Sequence, residues 1–202
     1  MMGFHSGNAQ IVHILGIETL HMNEDNYDKL FEKHPKIFLS EDKVPNLPFG
    51  IECGPGWYNL IDHLCLSLQH LYETSVLIDN VYQLVEPPQV IAHQVKEKFG
   101  TLRFYYHLKF CNKYEELLKT CSDNKHIEEL NNYACGYQSY IEGIVHMAET
   151  ISAHTCEYSG KPGIMHRTPG GWYKVLNEEV ATSVEKYSRR GYMPLNTFKE
   201  DV

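Results

Sequence analysis

The chain of 202 residues has 43% apolar and 22% charged residues, and its 14 Tyr, 8 Phe and 2 Trp exclude disorder over most of its length. Its 18 Lys and Arg against 26 Asp and Glu give a formal charge of −8, which disfavours general binding to the phosphate backbone of nucleic acids. We find no secretory signal and no apolar run of membrane-spanning length, so we expect a cytoplasmic protein with its six cysteines reduced.

The first elements of the chain are an extension and two helices. Residues 1–25 are predicted to be an N-terminal extension, in which the apolar run Ile11 to Ile17 is either an extension or a peripheral strand. A short helix is predicted from Asn26 to His34, because its apolar residues share one face and Pro35 cannot continue it. The strongest helical pattern runs from Trp57 to Tyr72, where apolar residues recur at steps of three and four.

The middle of the chain predicts a β-hairpin. Its first strand runs from Gln89 to Glu97, and residues 98–100 form the turn, with Gly100 able to supply a positive φ. In the return strand, from Thr101 to Leu108, apolar and polar residues alternate with a period of two. We therefore expect this hairpin to lead a small antiparallel sheet.

Two helices are predicted after the hairpin, from Lys113 to Cys121 and from Ile127 to Ile151. In the longer one, apolar residues alternate steps of three and four, and Gly136 and Gly143 either lie inside it or divide it in two. This repeat is typical both of a homodimer seam along residues 127–151 and of a helix lying across a sheet. We favour the intramolecular packing.

The C-terminal part contains a segment, residues 155–172, whose glycines and prolines predict a compact loop or a small hairpin knuckle. A last helix is predicted from Glu178 to Arg190. The fold class is thus α+β: a small antiparallel sheet with a central hairpin, packed by two main helices. The organisation expected is an extension over residues 1–25, a core over 26–154, and a knuckle with a C-terminal helix over 155–202.

The turn from Glu52 to Trp57 is the most enzyme-like feature. A Gly-Pro-Gly turn into a helix presents free backbone N–H groups, beside which the Cys53 thiol is a candidate nucleophile and His63 a candidate base. The alternative is a rigid turn that places Trp57 in the core.

A second candidate site is the polar face of the hairpin. Alternation places Gln94, Lys96 and Lys98 on one face of the first strand, where Arg103 could bind an anionic ligand or partner. The alternative is a solvated sheet face with cross-strand pairs such as Glu97 with Arg103. The candidate binding residues are Glu52, Cys53, Trp57, Gln94, Lys96, Lys98, Arg103 and Tyr105.

Six segments of the chain form a distinctive series: Pro48 to Ile61 with its Glu-Cys-Gly-Pro-Gly-Trp run, Gln94 to Tyr105, Ala148-Glu149 with Ser152, Thr155-Cys156-Glu157, Gly160 to Gly163, and Gly170-Gly171-Trp172. Together they resemble a family of uncharacterised proteins from bacteria, phages and prophages. They span about Asn26 to Val180, which is most of the chain.

The resemblance implies a C-terminal zinc ribbon that has lost its metal. Of the family's four ligand positions only Cys156 holds a cysteine, while Ser159, Asn177 and Val180 occupy the others. A structural zinc site needs about four N or S ligands, so we expect no metal and a degenerate knuckle. An altered site that joins Cys156 to His154 and His166 is the alternative. The resemblance also places Trp172 packed beneath the knuckle.

For function, the resemblance, the small size and the acidity together predict a non-enzymatic protein-binding module of phage or mobile-element type, acting as an inhibitor of a host defence system. We expect a host protein as the partner, in the cytoplasm of a bacterial host cell, with no cofactor and no membrane. The alternative is a small-molecule or nucleotide-binding protein, or a hydrolase, centred on the turn from Glu52 to Trp57.

Overall fold

The computed structural model describes residues 22–40, 42–74, 86–167, 171–187 and 193–194, and the fold is α+β. The predicted extension lies almost wholly outside the described residues. The helices are α1 (Glu24–Lys33), α2 (Pro35–Phe38), α3 (Tyr58–Thr74), α4 (Asn112–Thr120), α5 (Asn124–Ser152) and α6 (Glu178–Tyr187). The strands are β1 (Ile51–Glu52), β2 (Gln89–Lys98), β3 (Thr101–Lys109), β4 (Ile164–Arg167), β5 (Tyr173–Leu176) and β6 (Met193–Pro194).

The first sheet has the order β1-β2-β3, and its centre is the predicted hairpin. Phe99 (φ 54°) and Gly100 (φ 78°) form a two-residue turn with both φ values positive, the geometry that suits a tight hairpin. The sheet is mixed rather than antiparallel, because β1 pairs with β2 in parallel. A strand of two residues is too short to show a period, so β1 could not be predicted from the sequence.

The core lies on the inner face of this sheet. Val90, Ala92 and Val95 of β2 and Leu102 and Phe104 of β3 alternate into it, as the period of two predicts. Helices α1, α2, α3 and α5 cover it. Their buried side chains include Leu30, Phe31, Ile37, Phe38, Ile61, Leu64, Leu68, Ile141, Val145 and Ala148.

Helix α5 is continuous over 29 residues, although Gly136 and Gly143 each cost about 1 kcal/mol relative to Ala in a helix interior. Its C-terminal half caps the free edge of β3. The backbone N–H of Leu102 donates to Ser152 Oγ (2.8 Å), and that of Phe104 donates to Glu149 Oε1 (3.3 Å). Helix α5 therefore packs across the sheet within the chain, as predicted. It also occupies backbone N–H groups at the edge of β3 that could otherwise pair with another strand.

The remaining helix boundaries differ slightly from the prediction. Helix α1 begins two residues early, because the side chain of Asn23 accepts a hydrogen bond from the Asn26 N–H (2.8 Å) and caps the helix. Helix α6 begins at Glu178 as predicted, but residues 188–190 of its predicted end lie outside the described residues.

The C-terminal segment forms a second small sheet in the order β5-β4-β6. The segment predicted as a loop or knuckle thus contains a true hairpin strand, β4, paired with β5 from Ile164–Leu176 to Arg167–Tyr173. The expected burial of Trp172 is wrong, since 66% of this side chain is exposed.

Candidate functional site

Six of the eight predicted binding residues lie on one face of the first sheet. Strand alternation directs Gln94, Lys96 and Lys98 of β2 away from the core, and the pairing of β2 with β3 sets Arg103 and Tyr105 beside them. We call this surface the outer sheet face; its residues are Glu52, His93, Gln94, Lys96, Lys98, Arg103, Tyr105 and His107. Cys53 and Trp57 are not part of it, because both are fully buried.

The register of the hairpin places two cations directly opposite each other. Lys96 pairs with Arg103 across β2 and β3, and Glu52 flanks Lys96 on the other side. Like charges in directly opposed positions destabilise a sheet. The cross-strand pair between Glu97 and Arg103, given above as an example of the alternative, does not form, since Glu97 faces Leu102 and bonds the Lys174 ammonium at 2.8 Å. The outer sheet face is thus more cationic than the sequence suggested.

The two nearby carboxylates neutralise these cations only partly. Glu52 Oε2 accepts a hydrogen bond from Gln94 Nε2 (3.3 Å), and Glu149 Oε2 lies 3.9 Å from Arg103 Nη1. Lys98 is exposed and lies opposite Thr101. The cluster therefore keeps a net positive charge in a chain of overall charge −8.

Aromatic rings continue the outer sheet face beyond the cations. The Lys96 ammonium lies 5.3 Å from the centre of the Tyr105 ring, a cation–π arrangement. The ring of His93 lies 6.4 Å from that of Tyr105 and 6.1 Å from that of His107. A register shift at His93, between Ala92 and Gln94, brings these three exposed rings into one row.

A groove of about 900 Å³ adjoins the outer sheet face at His107. It is lined by Lys36, Lys43 and Lys109, with Asp42 and Glu86. The Lys36 ammonium lies 4.9 Å from the centre of the Tyr72 ring, which lines the same groove, and 3.9 Å from Glu73 Oε1. Basic side chains therefore lie both near the tip of the hairpin and beyond its far end.

The turn from Glu52 to Trp57 is packed inside the protein. Cys53 is fully buried, and burial raises the pKa of its thiol strongly, so it presents no thiolate to a substrate. His63 lies on the exposed face of α3, with Nδ1 2.6 Å from the Asn59 carbonyl oxygen. The turn and this histidine do not form a nucleophile and base pair.

The same turn joins the core to the C-terminal unit, by which we mean the described residues from 155 onward. The N–H of Gly54 donates to Glu157 Oε1 (2.9 Å), and the N–H of Gly56 donates to the Glu157 carbonyl oxygen (2.8 Å). A Cβ on Gly56 would lie 2.5 Å from the carbonyl oxygen of Cys156. The indole N–H of Trp57 donates to the Thr155 carbonyl oxygen (2.9 Å). This glycine-rich run is therefore a docking turn.

The candidate metal residues do not form a site. Cys156 is buried, His154 is exposed, and His166 Nδ1 lies 2.8 Å from the Ile164 carbonyl oxygen. Within the described part of the chain, no group of three or more His, Cys, Asp or Glu side chains is placed to hold a metal ion. Ser159 and Asn177, at two of the implied ligand positions, instead hydrogen-bond each other at 3.2 Å.

Sequence reasoning missed His93, His107 and the three groove lysines. The register shift at His93 interrupts strand alternation, and the lysines come from α2, a loop and the end of β3. Only the fold brings these distant segments together, so no local pattern could have identified them.

Comparisons with known proteins gave no relatives: no family model, no curated protein and no solved structure matches the chain. Among the described residues, no helix combines the length and hydrophobicity that crossing a membrane requires.

Proposed function

We propose that the chain is a non-enzymatic protein-binding module, and that its outer sheet face binds an acidic surface of a partner protein. The observation that carries this proposal is the pair Lys96 and Arg103, half-buried and held directly opposite each other on the outer sheet face. Repulsion between these two cations destabilises the isolated protein. Carboxylates of a partner would neutralise the repulsion and would themselves be attracted to both cations.

The side chains on the outer sheet face suit a protein partner. Arg103 can bind a carboxylate through two parallel hydrogen bonds, and Tyr105 offers a rigid aromatic surface with a polar tip. Arginine and tyrosine are enriched among the residues that dominate binding energy in protein interfaces. Exposed His93 and His107 extend this surface toward the groove.

The overall charge favours an acidic protein over a nucleic acid. A long nucleic acid extends beyond the cationic cluster and is repelled by the rest of the molecule, whose formal charge is −8. A short acidic patch on a protein can contact the cationic cluster alone. The groove beside His107, with Lys36, Lys43 and Lys109, could take the end of an acidic segment that lies along the sheet. The resemblance to phage-borne proteins makes a component of a host defence system the first partner to test.

Charge reversal on the outer sheet face tests this proposal. The variant Lys96→Glu/Arg103→Glu changes two half-buried side chains, of which Arg103 also donates to the Leu102 carbonyl oxygen (2.7 Å). Circular dichroism and the thermal midpoint therefore first establish that the variant is folded. The matched control, Lys119→Glu/Lys125→Glu, makes the same charge change at exposed positions of α4 and α5. Wild type, variant and control are used at equal concentration to capture proteins from host lysate, and each captured protein is then purified and titrated directly.

The expected result is one protein with an acidic surface that binds wild type and control alike and binds the face variant at least tenfold more weakly. Its affinity for the wild type should fall as salt concentration rises. Equal binding by the variant and the wild type would overturn the proposal. The proposal would also be overturned if the face variant lost binding to a DNA or RNA duplex and to no protein.

The alternative centred on the turn from Glu52 to Trp57 has no geometric support. The Cys53 thiol is buried, and the N–H groups of Gly54 and Gly56 already donate to Glu157. A ligand at this turn would first have to displace the C-terminal unit.

We also propose that the C-terminal unit is a ribbon-like knuckle that has replaced its metal by ordinary contacts. Two observations support this. Ser159 and Asn177 meet through a hydrogen bond, and Cys156 belongs to the same apolar cluster as Val180. The four positions at which the resemblance places metal ligands thus lie around one small region.

A further inference from the structure

Two glycines in the interior of α5 have no role in the packing of the chain. A Cβ placed on Gly136 or on Gly143 would meet no atom within 4 Å, so there is open space at both positions. Glycine lowers helix stability at such sites, and neither residue occupies a turn. Their spacing of seven residues, which is two helical turns, places them on the same face of α5.

Large apolar side chains lie on that same face. Tyr140 is 60% exposed, Met147 is 61% exposed and Ile151 is 46% exposed. Together with the glycines they form a stripe along α5, Gly136-Tyr140-Gly143-Met147-Ile151, with the steps of three and four that define one helix face. We call it the α5 stripe. It is separate from the buried face of Ile141, Val145 and Ala148.

The spacing of the α5 stripe is complementary to itself. When two copies of the helix run antiparallel about a two-fold axis near residues 141 and 142, Tyr140 of one copy faces Gly143 of the other. The same axis sets Met147 against Gly136. Each large side chain of one copy thus meets a glycine of its partner, which is the relationship that a two-fold symmetric interface requires.

A hollow at Gly136 provides the receiving surface for the methionine. Its volume is about 290 Å³, and it is lined by Leu71 of α3 and by Asn132, Tyr133, Tyr137 and Tyr140 of α5 around the glycine. An unbranched thioether side chain fills irregular apolar hollows well and makes favourable contacts with aromatic rings. The antiparallel register directs Met147 of the second copy to this hollow.

We infer that the α5 stripe is a homodimer interface, in which two copies of α5 pack antiparallel with Tyr140 over Gly143 and Met147 in the hollow at Gly136. The helices meet over residues 132–151, a length of about 30 Å. The exposed parts of three large side chains and their half-buried neighbours cover only a few hundred Å² per copy, near the lower limit of about 1,000 Å² in total for a specific interface. We therefore expect a weak dimer.

The glycines allow a test in which folding and association respond in opposite directions. Gly136→Gln/Gly143→Gln replaces two poor helix formers with good ones at positions with open space, so the thermal midpoint of the dilute chain should rise. The same side chains would block the partner helix. Asn131→Gln/Cys135→Gln is the control, since both positions are exposed and lie away from the α5 stripe.

Sedimentation velocity over a micromolar to submillimolar concentration range measures the association. We expect a monomer–dimer equilibrium in the wild type and the control, and at least a tenfold weaker one in the glycine variant. A wild type that stays monomeric across the range would overturn the inference, as would a glycine variant that dimerises as the wild type does.

Cross-linking tests the register itself, in a Cys135→Ser background that removes the exposed native thiol. A mixture of Met147→Cys and Gly136→Cys chains should form disulfide-linked heterodimers on mild oxidation, because the two positions face each other in the antiparallel pair. Two Met147 positions lie about 16 Å apart along that pair, too far for a disulfide. Efficient cross-linking of Met147→Cys chains to one another would therefore show a parallel pair and would overturn the proposed arrangement.

Discussion

Lys174 Nζ lies 2.7 Å from Glu157 Oε2 in the interior of the protein. The same ammonium bonds Glu97 Oε2 at 2.8 Å, so one lysine of β5 joins the tip of the hairpin to the docking turn and the C-terminal unit. Burial alone would lower the pKa of Lys174, but the two carboxylates outweigh it and raise this pKa above its usual value of 10.5. The lysine therefore stays charged and holds three segments together.

We predict that Lys174→Met strongly destabilises the fold. The change leaves the carboxylates of Glu157 (1% exposed) and Glu97 (15% exposed) without their cation, and breaking a buried pair in this way costs about 3–5 kcal/mol. Urea denaturation followed by circular dichroism measures the loss. The control is Lys161→Met, which removes an exposed pair with Glu179 and should leave the free energy of unfolding nearly unchanged. Equal stability of the two variants would contradict the prediction.

A second buried pair gives the stability a defined pH dependence. Asp62 accepts from Lys33 Nζ (2.8 Å) and bonds the buried His34 Nε2 (2.7 Å). Burial alone would raise the pKa of Asp62, but the hydrogen bonds from Lys33 and His34 hold it below its ordinary value of 3.8. A carboxyl group with a lowered pKa stabilises the fold above its unfolded pKa, and that contribution disappears as the pH falls through the folded pKa.

We therefore predict that Asp62→Asn lowers the free energy of unfolding at pH 6 and that the gap to the wild type narrows below an unfolded pKa of about 3.8. Chemical denaturation at a series of pH values measures this gap. Asp28→Asn, an exposed change on α1, should show no gap at any pH. If the difference in free energy of unfolding between Asp62→Asn and the wild type stays constant down to pH 3, the charge of Asp62 is not the source of its stabilising effect.

The sequence predicted the elements that have a long, regular pattern. Alternation over Thr101 to Leu108 identified β3, and apolar steps of three and four identified α3 and α5, because one buried face imposes the period of its element. The two-residue strand β1 and the register shift at His93 are too short or too irregular to show a period.

Part of the candidate site could be predicted from the sequence and part could not. Lys96, Lys98 and Arg103 could be placed on one face from strand alternation alone. That Lys96 opposes Arg103 depends on the hairpin register, which follows from a two-residue turn at Phe99 and Gly100 where a three-residue turn was expected. Sequence could not reveal that the Gly54 N–H donates to Glu157, since more than a hundred residues separate them.

We predict that Gly56→Ala detaches the C-terminal unit from the core. The new Cβ would lie 2.5 Å from the Cys156 carbonyl oxygen and 2.5 Å from the Gly160 nitrogen, and neither backbone atom can move easily. Overpacking of this kind costs about 1–3 kcal/mol or more. Hydrogen exchange should show faster exchange in residues 155–167 and 171–176 while β2 and β3 stay protected. The control, Gly143→Ala in dilute solution, adds a Cβ to open space in a helix and should raise stability. Exchange rates in the Gly56→Ala variant equal to those of the wild type would contradict the prediction.

The last prediction concerns the metal-free knuckle. We predict that Ser159→Cys/Asn177→Cys/Val180→Cys, together with the native Cys156, creates a site that binds one zinc ion per chain. Ser159 Oγ and Asn177 Oδ1 are already 3.2 Å apart, and a tetrahedral site needs four sulfurs at about 2.3 Å from one ion. Native mass spectrometry counts the bound metal, and the absorption spectrum of the cobalt-loaded variant reports a tetrahedral thiolate site. Adding Cys156→Ser should abolish binding. If the triple variant stays folded and takes up no metal, the four positions do not share a ribbon geometry.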